Sequence, residues 1–398
     1  MKRTLIYYSR RILILPLYWI SMAMPKKKTL WIFGEYSGTT YADNSKYLFE
    51  YINTNQCPIQ TVWLSRKKEI IDEVRAKGFT AHHVYSIKGV FYAMRAGAAI
   101  CCVALSDMWA NIISHQTLLV NLWHGTPLKK VGTDVSSGIF KQKKWVLPGK
   151  QFFGKILEWT GWKAKRHSQI WFSTSPEVSE RFKGAFSLTD KEVVATGYPR
   201  TDPFFKKKEN NKNDSIRKII FMPTFRQQVG SPIDFLEPFG FDFDSVDTLL
   251  QKNKIKLWIR LHRYNFPPKN VVEKIEQSSN IFIHKNSDIY AELDQFDLLI
   301  TDLSSIFFDY LLLDKPIVFS AFDMETYIKR DRDLYYPYDE ITPGPKGTDW
   351  PSVLKHVVEL LDNPTQYAKD RDVIKKRFNT FCDGKNSERV YEQIIKQI

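Results

Sequence analysis

From residue 30 onward the chain alternates short apolar runs with stretches of helical character, and it does so in two successive series. The first series has strand-like runs at residues 30–33, 61–64, 98–103, 117–122, 170–173 and 193–195, with a helix from Asn44. The second has them at 218–222, 256–261, 281–284, 298–301 and 316–320, after which helices close the chain. Strand and helix in alternation signal a parallel sheet, because parallel neighbours can be joined only through a crossover. Between the series the polar, charge-rich run from Lys206 to Asp214 reads as a linker. A length of 398 residues exceeds what one hydrophobic core usually organises. The predicted fold class is therefore α/β, with two Rossmann-like domains, 29–205 and 214–398, facing across a cleft. In such folds ligands meet the carboxyl ends of the strands.

Chemistry-bearing residues fall at those ends. Trp123-His124-Gly125-Thr126-Pro127-Leu128-Lys129 follows directly on an apolar strand, and the glycine and proline shape a tight turn. A histidine placed there faces the cleft and can take a proton from an attacking hydroxyl. In the second series Pro223-Thr224-Phe225-Arg226, Arg260-Leu261-His262-Arg263 and Thr301-Asp302-Leu303-Ser304-Ser305 each end a strand. The last opens a helix through Asp309, where hydroxyls and free N–H groups can seat a phosphate; the plainer alternative is that Ser304 or Ser305 is an N-cap. No GxxxxGK[ST] and no GxGxxG follows a strand, so P-loop and dinucleotide sites are not expected. Asp242-Phe243-Asp244 reads as a loop or helix start rather than a metal site.

The net charge of +14 points to a polyanionic or anionic neighbour. Four cysteines, Cys57, Cys101, Cys102 and Cys382, show neither a disulfide framework nor zinc-ligand spacing, which fits a reducing cytoplasm. At the N-terminus, residues 1–28 carry Lys2, Arg3, Arg10, Arg11 and Lys26 to Lys28 around an apolar run interrupted by Pro16. That run is shorter than the roughly 20 residues that span a bilayer. It reads as a basic interfacial helix with Tyr18 and Trp19 at headgroup depth; the rivals are a signal peptide, for which Ser21-Met22-Ala23 resembles a cleavage site, and a first helix packed on the body. A second basic, aromatic stretch, 129–166, invites the same pair of readings. Single-stranded nucleic acid would suit such a composition too, but no nucleic-acid motif accompanies it.

These blocks, together with Gly197-Tyr198-Pro199-Arg200-Thr201-Asp202, Ile306-Phe307-Phe308-Asp309-Tyr310 and Asp383-Gly384-Lys385-Asn386-Ser387-Glu388-Arg389, resemble the CDP-glycerol glycerophosphotransferase family in kind and order. The resemblance implies a GT-B-type fold. It implies a donor, CDP-glycerol or CDP-ribitol, from which a polyol phosphate passes to an undecaprenyl-diphosphate-linked saccharide or a growing polyol-phosphate chain, with release of CMP, in wall teichoic acid or capsule synthesis. It implies that His124 is the base and that His262 partners the donor phosphates. Trp123, Gly125, Thr126, Pro127, Arg200, Pro223, Thr224, Arg260, Leu261, Ser304, Ser305 and Asp309 would line the donor site, with no cofactor and no metal. Phe225 stands where the family often has Trp, and Leu303 where Tyr is frequent. The lack of a long extra N-terminal domain favours a primase or short-chain transferase. The place of action implied is the cytoplasmic face of a bacterial membrane, peripherally bound and without nucleic acid. The rival reading is a GT-B glycosyltransferase that uses a nucleotide sugar.

Overall fold

The computed structural model describes residues 14–136, 168–206, 216–226, 230–262, 264–330 and 333–398. The expected linker, apart from Lys206, lies outside these residues, as do residues 137–166 of the second basic stretch and the first part of segment 1–28.

The first domain is a seven-stranded, all-parallel sheet in the order β3-β2-β1-β4-β5-β6-β7. Its strands are β1 (Lys27–Phe33), β2 (Gln60–Ser65), β3 (Ala81–His83), β4 (Ala96–Cys101), β5 (Leu118–Asn121), β6 (Gln169–Ser173) and β7 (Val193–Ala195). Successive side chains of a strand point to opposite faces. Accordingly Trp31 and Phe33 enter one core with Phe49 and Trp63, while Leu30 and Ile32 enter the other with Val62 and Leu64. At the centre β4 is Ala-Gly-Ala-Ala-Ile-Cys, buried throughout. A Cβ on Gly97 would lie 2.7 Å from the Lys27 carbonyl oxygen, so the close approach to β1 requires glycine.

The second domain repeats the plan with six parallel strands in the order β12-β10-β8-β13-β14-β15. They are β8 (Arg217–Met222), β10 (Ile255–Ile259), β12 (Ile281–Ile283), β13 (Leu298–Thr301), β14 (Ile317–Ser320) and β15 (Lys346–Gly347), and a separate short pair joins β9 (Ser231–Pro232) to β11 (Asn265–Phe266). Strands β3 and β15 escaped the sequence reading. Each pairs over only two or three residues at a sheet edge, too short for an apolar run to stand out.

Packing joins the domains in more than one place. One hydrophobic cluster crosses between them, with Trp123, Trp171 and Phe182 from the first domain and Tyr290, Phe307 and Phe308 from the second. The closing helix Asn386–Gln397 also returns to the first domain, where Val390 and Ile394 enter the core beside Trp31. The last helix of segment 214–398 thus covers the first sheet. Asp202 caps that helix, accepting from the backbone N–H groups of Asn386 at 2.9 Å and Ser387 at 2.8 Å.

Residues 14–23 are helical and lie on the body. Leu15 and Tyr18 are each 5% exposed, and the Tyr18 hydroxyl approaches His115 Nδ1 at 3.5 Å. Tyr18 therefore does not sit at headgroup depth, because it is buried against the first domain beside His115. Trp19 and Ile20 point outward. No helix among the described residues is long and apolar enough to cross a membrane.

Candidate active site

Strand order reverses beside β1 and β4 in the first sheet and beside β8 and β13 in the second. Loops leaving strands near these points splay apart and open a crevice. The two crevices share a cavity of about 550 Å³.

His124 forms its first-domain wall, on the turn after β5. Trp123 adopts φ 54°, a left-handed conformation unusual for a large residue. Its surroundings over-determine that strain. Asn121 Oδ1 accepts from the Trp123 N–H at 2.9 Å, and Asn44 Nδ2 donates to the carbonyls of Leu122 at 3.2 Å and Trp123 at 2.9 Å. The indole is packed against Phe186 and Trp171 at centroid distances of 4.9 and 5.5 Å. Gly125 follows at φ 146°, where a Cβ would stand 2.7 Å from Ser305 Oγ of the opposite domain. His124 Nδ1 lies 3.2 Å from the Cys102 carbonyl oxygen. A carbonyl can only accept, so Nδ1 carries the proton and Nε2 keeps its lone pair. Burial pushes the His124 pKa below the ordinary imidazole range, against the Cys102 hydrogen bond and the Asp43 carboxylate, which raise it. The ring is therefore neutral near pH 7 and available as a base.

The second-domain wall holds Pro223, Thr224, Arg260, Leu261, His262, Ser304 and Ser305, all expected from the sequence, and Trp123, Thr126, Pro127 and Arg200 complete the first-domain side. Asp302 ties two strand ends together: Oδ1 accepts from the Thr224 N–H at 2.8 Å and hydroxyl at 2.7 Å, and Oδ2 from Arg226 Nη2 at 2.6 Å. Ser305 occupies the N-cap position of the short helix Ile306–Tyr310, yet its side chain makes no capping hydrogen bond. Ser305 thus holds the N-cap position while its hydroxyl is left for the cavity side. His262 is exposed, with Nδ1 accepting from the Tyr264 N–H at 3.4 Å and Phe225 5.3 Å from its ring.

Asp309 is the exception among the expected donor-site residues. It is fully buried and does not line the cavity. Its Oδ2 accepts from Arg200 Nη2 at 2.6 Å and from the Tyr290 hydroxyl at 2.7 Å. Arg200 also donates through Nη1 to Asp43 at 2.8 Å. Asp309 acts on the site through Arg200. Asp43 and Tyr36 line the cavity near His124 and were missed; Asp43-Asn44-Ser45 reads from sequence as an ordinary helix start, which it also is. Asp288 was missed too, and it lines the cavity while accepting from Lys46 at 2.5 Å and from Tyr47 at 2.9 Å. Asp242 caps the helix Phe243–Lys252 away from the cavity, as the sequence reading had it.

Comparison with known proteins gives a consistent outcome. The family model described as CDP-Glycerol:Poly(glycerophosphate) glycerophosphotransferase matches residues 16–396. The chain is 26% identical to a teichoic acid glycerol-phosphate transferase of Staphylococcus aureus over 94% of each chain. It is 27% identical to a teichoic acid poly(glycerol phosphate) polymerase of Bacillus spizizenii over 94% of this chain and 93% of the relative. In structure it superposes on the wall teichoic acid polymerase TagF with a TM-score of 0.72 at 21% identity, covering 100% of this chain and 98% of the other.

Proposed function

Because the chain belongs to the CDP-glycerol:poly(glycerophosphate) glycerophosphotransferase family, we propose that it moves glycerol phosphate from CDP-glycerol to a lipid-linked acceptor in teichoic acid synthesis. The observation that carries this reading is His124, a neutral imidazole shut into a two-domain cleft opposite the Arg260, His262 and Ser304/Ser305 wall. The acceptor hydroxyl gives its proton to His124 Nε2 as its oxygen bonds to the phosphorus that bears the glycerol. The bond from that phosphorus to the bridging oxygen breaks, and CMP leaves. Arg260, His262 and the hydroxyls of Ser304 and Ser305 stabilise charge on the diphosphate and on departing CMP. Tyr36 and Asp43 lie on the His124 side of the cavity and serve the acceptor, while Thr224 and Pro223 bound the donor.

The acceptor, an undecaprenyl-diphosphate-linked saccharide or a growing chain, brings the protein to the cytoplasmic face of the membrane. Outward-facing Trp19 and Ile20 support peripheral binding there, as do Ile87 and Phe91 on the neighbouring helix Ile87–Arg95. Such rings and aliphatic groups enter the acyl boundary while the basic surplus meets anionic headgroups. Flotation with anionic vesicles tests this, and loss on Trp19→Ala with Phe91→Ala is expected.

The decisive experiment incubates purified protein with CDP-glycerol or CDP-ribitol and an undecaprenyl-diphosphate-linked disaccharide, following CMP release and product mass. Growth by glycerol phosphate units is expected. Release of UDP or GDP from a nucleotide sugar, with neither CDP-polyol consumed, would establish the glycosyltransferase alternative.

A further inference from the structure

Arg260 faces the cavity, and its guanidinium is tethered from behind by the segment that follows β12. Nη1 donates to His284 Nδ1 at 2.9 Å and to the Asn286 carbonyl; Nη2 donates to the Ser287 carbonyl at 3.0 Å. The other edge of the His284 ring meets Glu292, with Nε2 2.9 Å from Oε2, and Asn286 Nδ2 donates to the second carboxylate oxygen. The His284 side chain is only 5% exposed and does not line the cavity. These bonds fix the ring's state. A carboxylate can only accept, so Nε2 carries the proton; a guanidinium can only donate, so Nδ1 must offer a lone pair. Only neutral His284 satisfies both neighbours.

We propose that Glu292 and His284 are positioning residues that hold the Arg260 guanidinium at the donor-diphosphate wall, and that the relay works only while His284 is neutral. The inference rests on the CDP-polyol reading given above. A second proton on His284 would remove one of the acceptors that hold Arg260 and set two cations in contact, loosening a long side chain that the diphosphate needs held in place. The charged groups facing the ring are Arg260, from the end of β10, and Glu292, from the turn after Ile289–Ala291; the Phe296 ring lies 6.1 Å away. Burial first, and Arg260 with it, hold the His284 pKa below the ordinary imidazole range against the pull of Glu292. The relay is therefore intact at neutral pH and fails on the acid side of that range.

Calorimetric titration with CDP-glycerol, from about pH 5 to about pH 8, tests this on wild type, His284→Ala, His284→Gln and Glu292→Gln. A glutamine amide offers one acceptor and one donor but does not titrate. At neutral pH His284→Ala should weaken binding roughly tenfold, the size of a lost hydrogen bond to a charged group, raising KM more than it lowers kcat. His284→Gln should bind within about twofold of wild type, an ordinary small perturbation, and keep its affinity in acid where wild type loses it. Glu292→Gln alters a residue at the surface, leaves the core packing alone, and should weaken binding by a smaller factor. Wild-type affinity in folded His284→Ala and in Glu292→Gln, or an undiminished acid loss in His284→Gln, would overturn the relay alone. Failure of wild type itself to bind either CDP-polyol would instead overturn the donor reading.

Discussion

Arg200 and Asp309 meet at 2.6 Å across the domain boundary, and both are almost wholly removed from water. The guanidinium lies between two carboxylates, Asp43 of the first domain and Asp309 of the second, with the Tyr290 ring 4.4 Å away. Breaking a buried pair from one side leaves an uncompensated charge and costs about 3–5 kcal/mol. Arg200→Ala should lower the unfolding free energy by that amount, read as a fall in the urea midpoint, and abolish turnover. Asp309→Asn, which keeps a hydrogen-bond acceptor, should cost less and mainly raise KM. Equilibrium unfolding beside CMP release separates the two effects.

His124 is neutral in its resting state, so activity should rise with pH and level off before neutrality. Burial lowers its pKa, placing the acid limb of kcat/KM below the free imidazole value of about 6.5. His124→Asn retains a hydrogen-bonding side chain without a base and should reduce the rate by about 10²–10⁴-fold while circular dichroism stays unchanged. Near-normal turnover would remove His124 from the mechanism.

Glu35, two residues beyond β1, is fully buried beside Cys102 and Ser45. Burial raises its pKa well above the carboxylate range, and the nearby Asp43 and Asp107 carboxylates add to the shift. The folded state therefore holds a proton that the unfolded state releases near the ordinary glutamate pKa, so stability declines as pH rises from there through the folded pKa. Glu35→Gln should flatten that decline and raise the melting temperature at neutral pH relative to wild type. An identical pH–stability curve for the two proteins would contradict the raised pKa.

Ser305 and Asp242 both precede helices, and only Asp242 caps one. Ser305→Ala should leave the melting temperature unchanged and raise KM for CDP-glycerol severalfold, as expected for one lost hydrogen bond of about 1 kcal/mol. Asp242→Ala should lower the unfolding midpoint without touching KM. A reversed pattern would mean that Ser305 is structural.

Gly197 has φ 81°, and a Cβ there would stand 2.2 Å from Asn386 Oδ1 of the closing helix. Gly197→Ala should cost about 1–3 kcal/mol from backbone strain alone and loosen residues 386–397, read as faster amide exchange at Val390 and Ile394. Protection equal to wild type would rule out the coupling.

The parallel α/β plan was legible because central strands such as β4 and β13 are buried on both faces and must be continuously apolar. The cleft residues were legible because turn chemistry marks strand ends: the glycine after His124 and the proline after Met222 announce where the chain must bend. What could not be read was partnership across long separations. Asp43 meets Arg200 from 157 positions away and Asp309 from 109 on the other side, so each looked like a local helix residue or a site residue in its own right. The quoted blocks around Gly197 and Asn386 proved to be one interlocked unit. Apart from Arg200 they build the fold and do not touch the cavity.

The return of residues 386–397 to the first sheet has a consequence for biosynthesis. The first domain leaves the ribosome with the face around Trp31 only partly covered, and the rest of its cover is translated only after every strand of the second domain. The first sheet must wait, partly bare, until the second has emerged, and apolar surface exposed in that interval is prone to aggregate. Closure of the first core thus waits on the translation of the second domain.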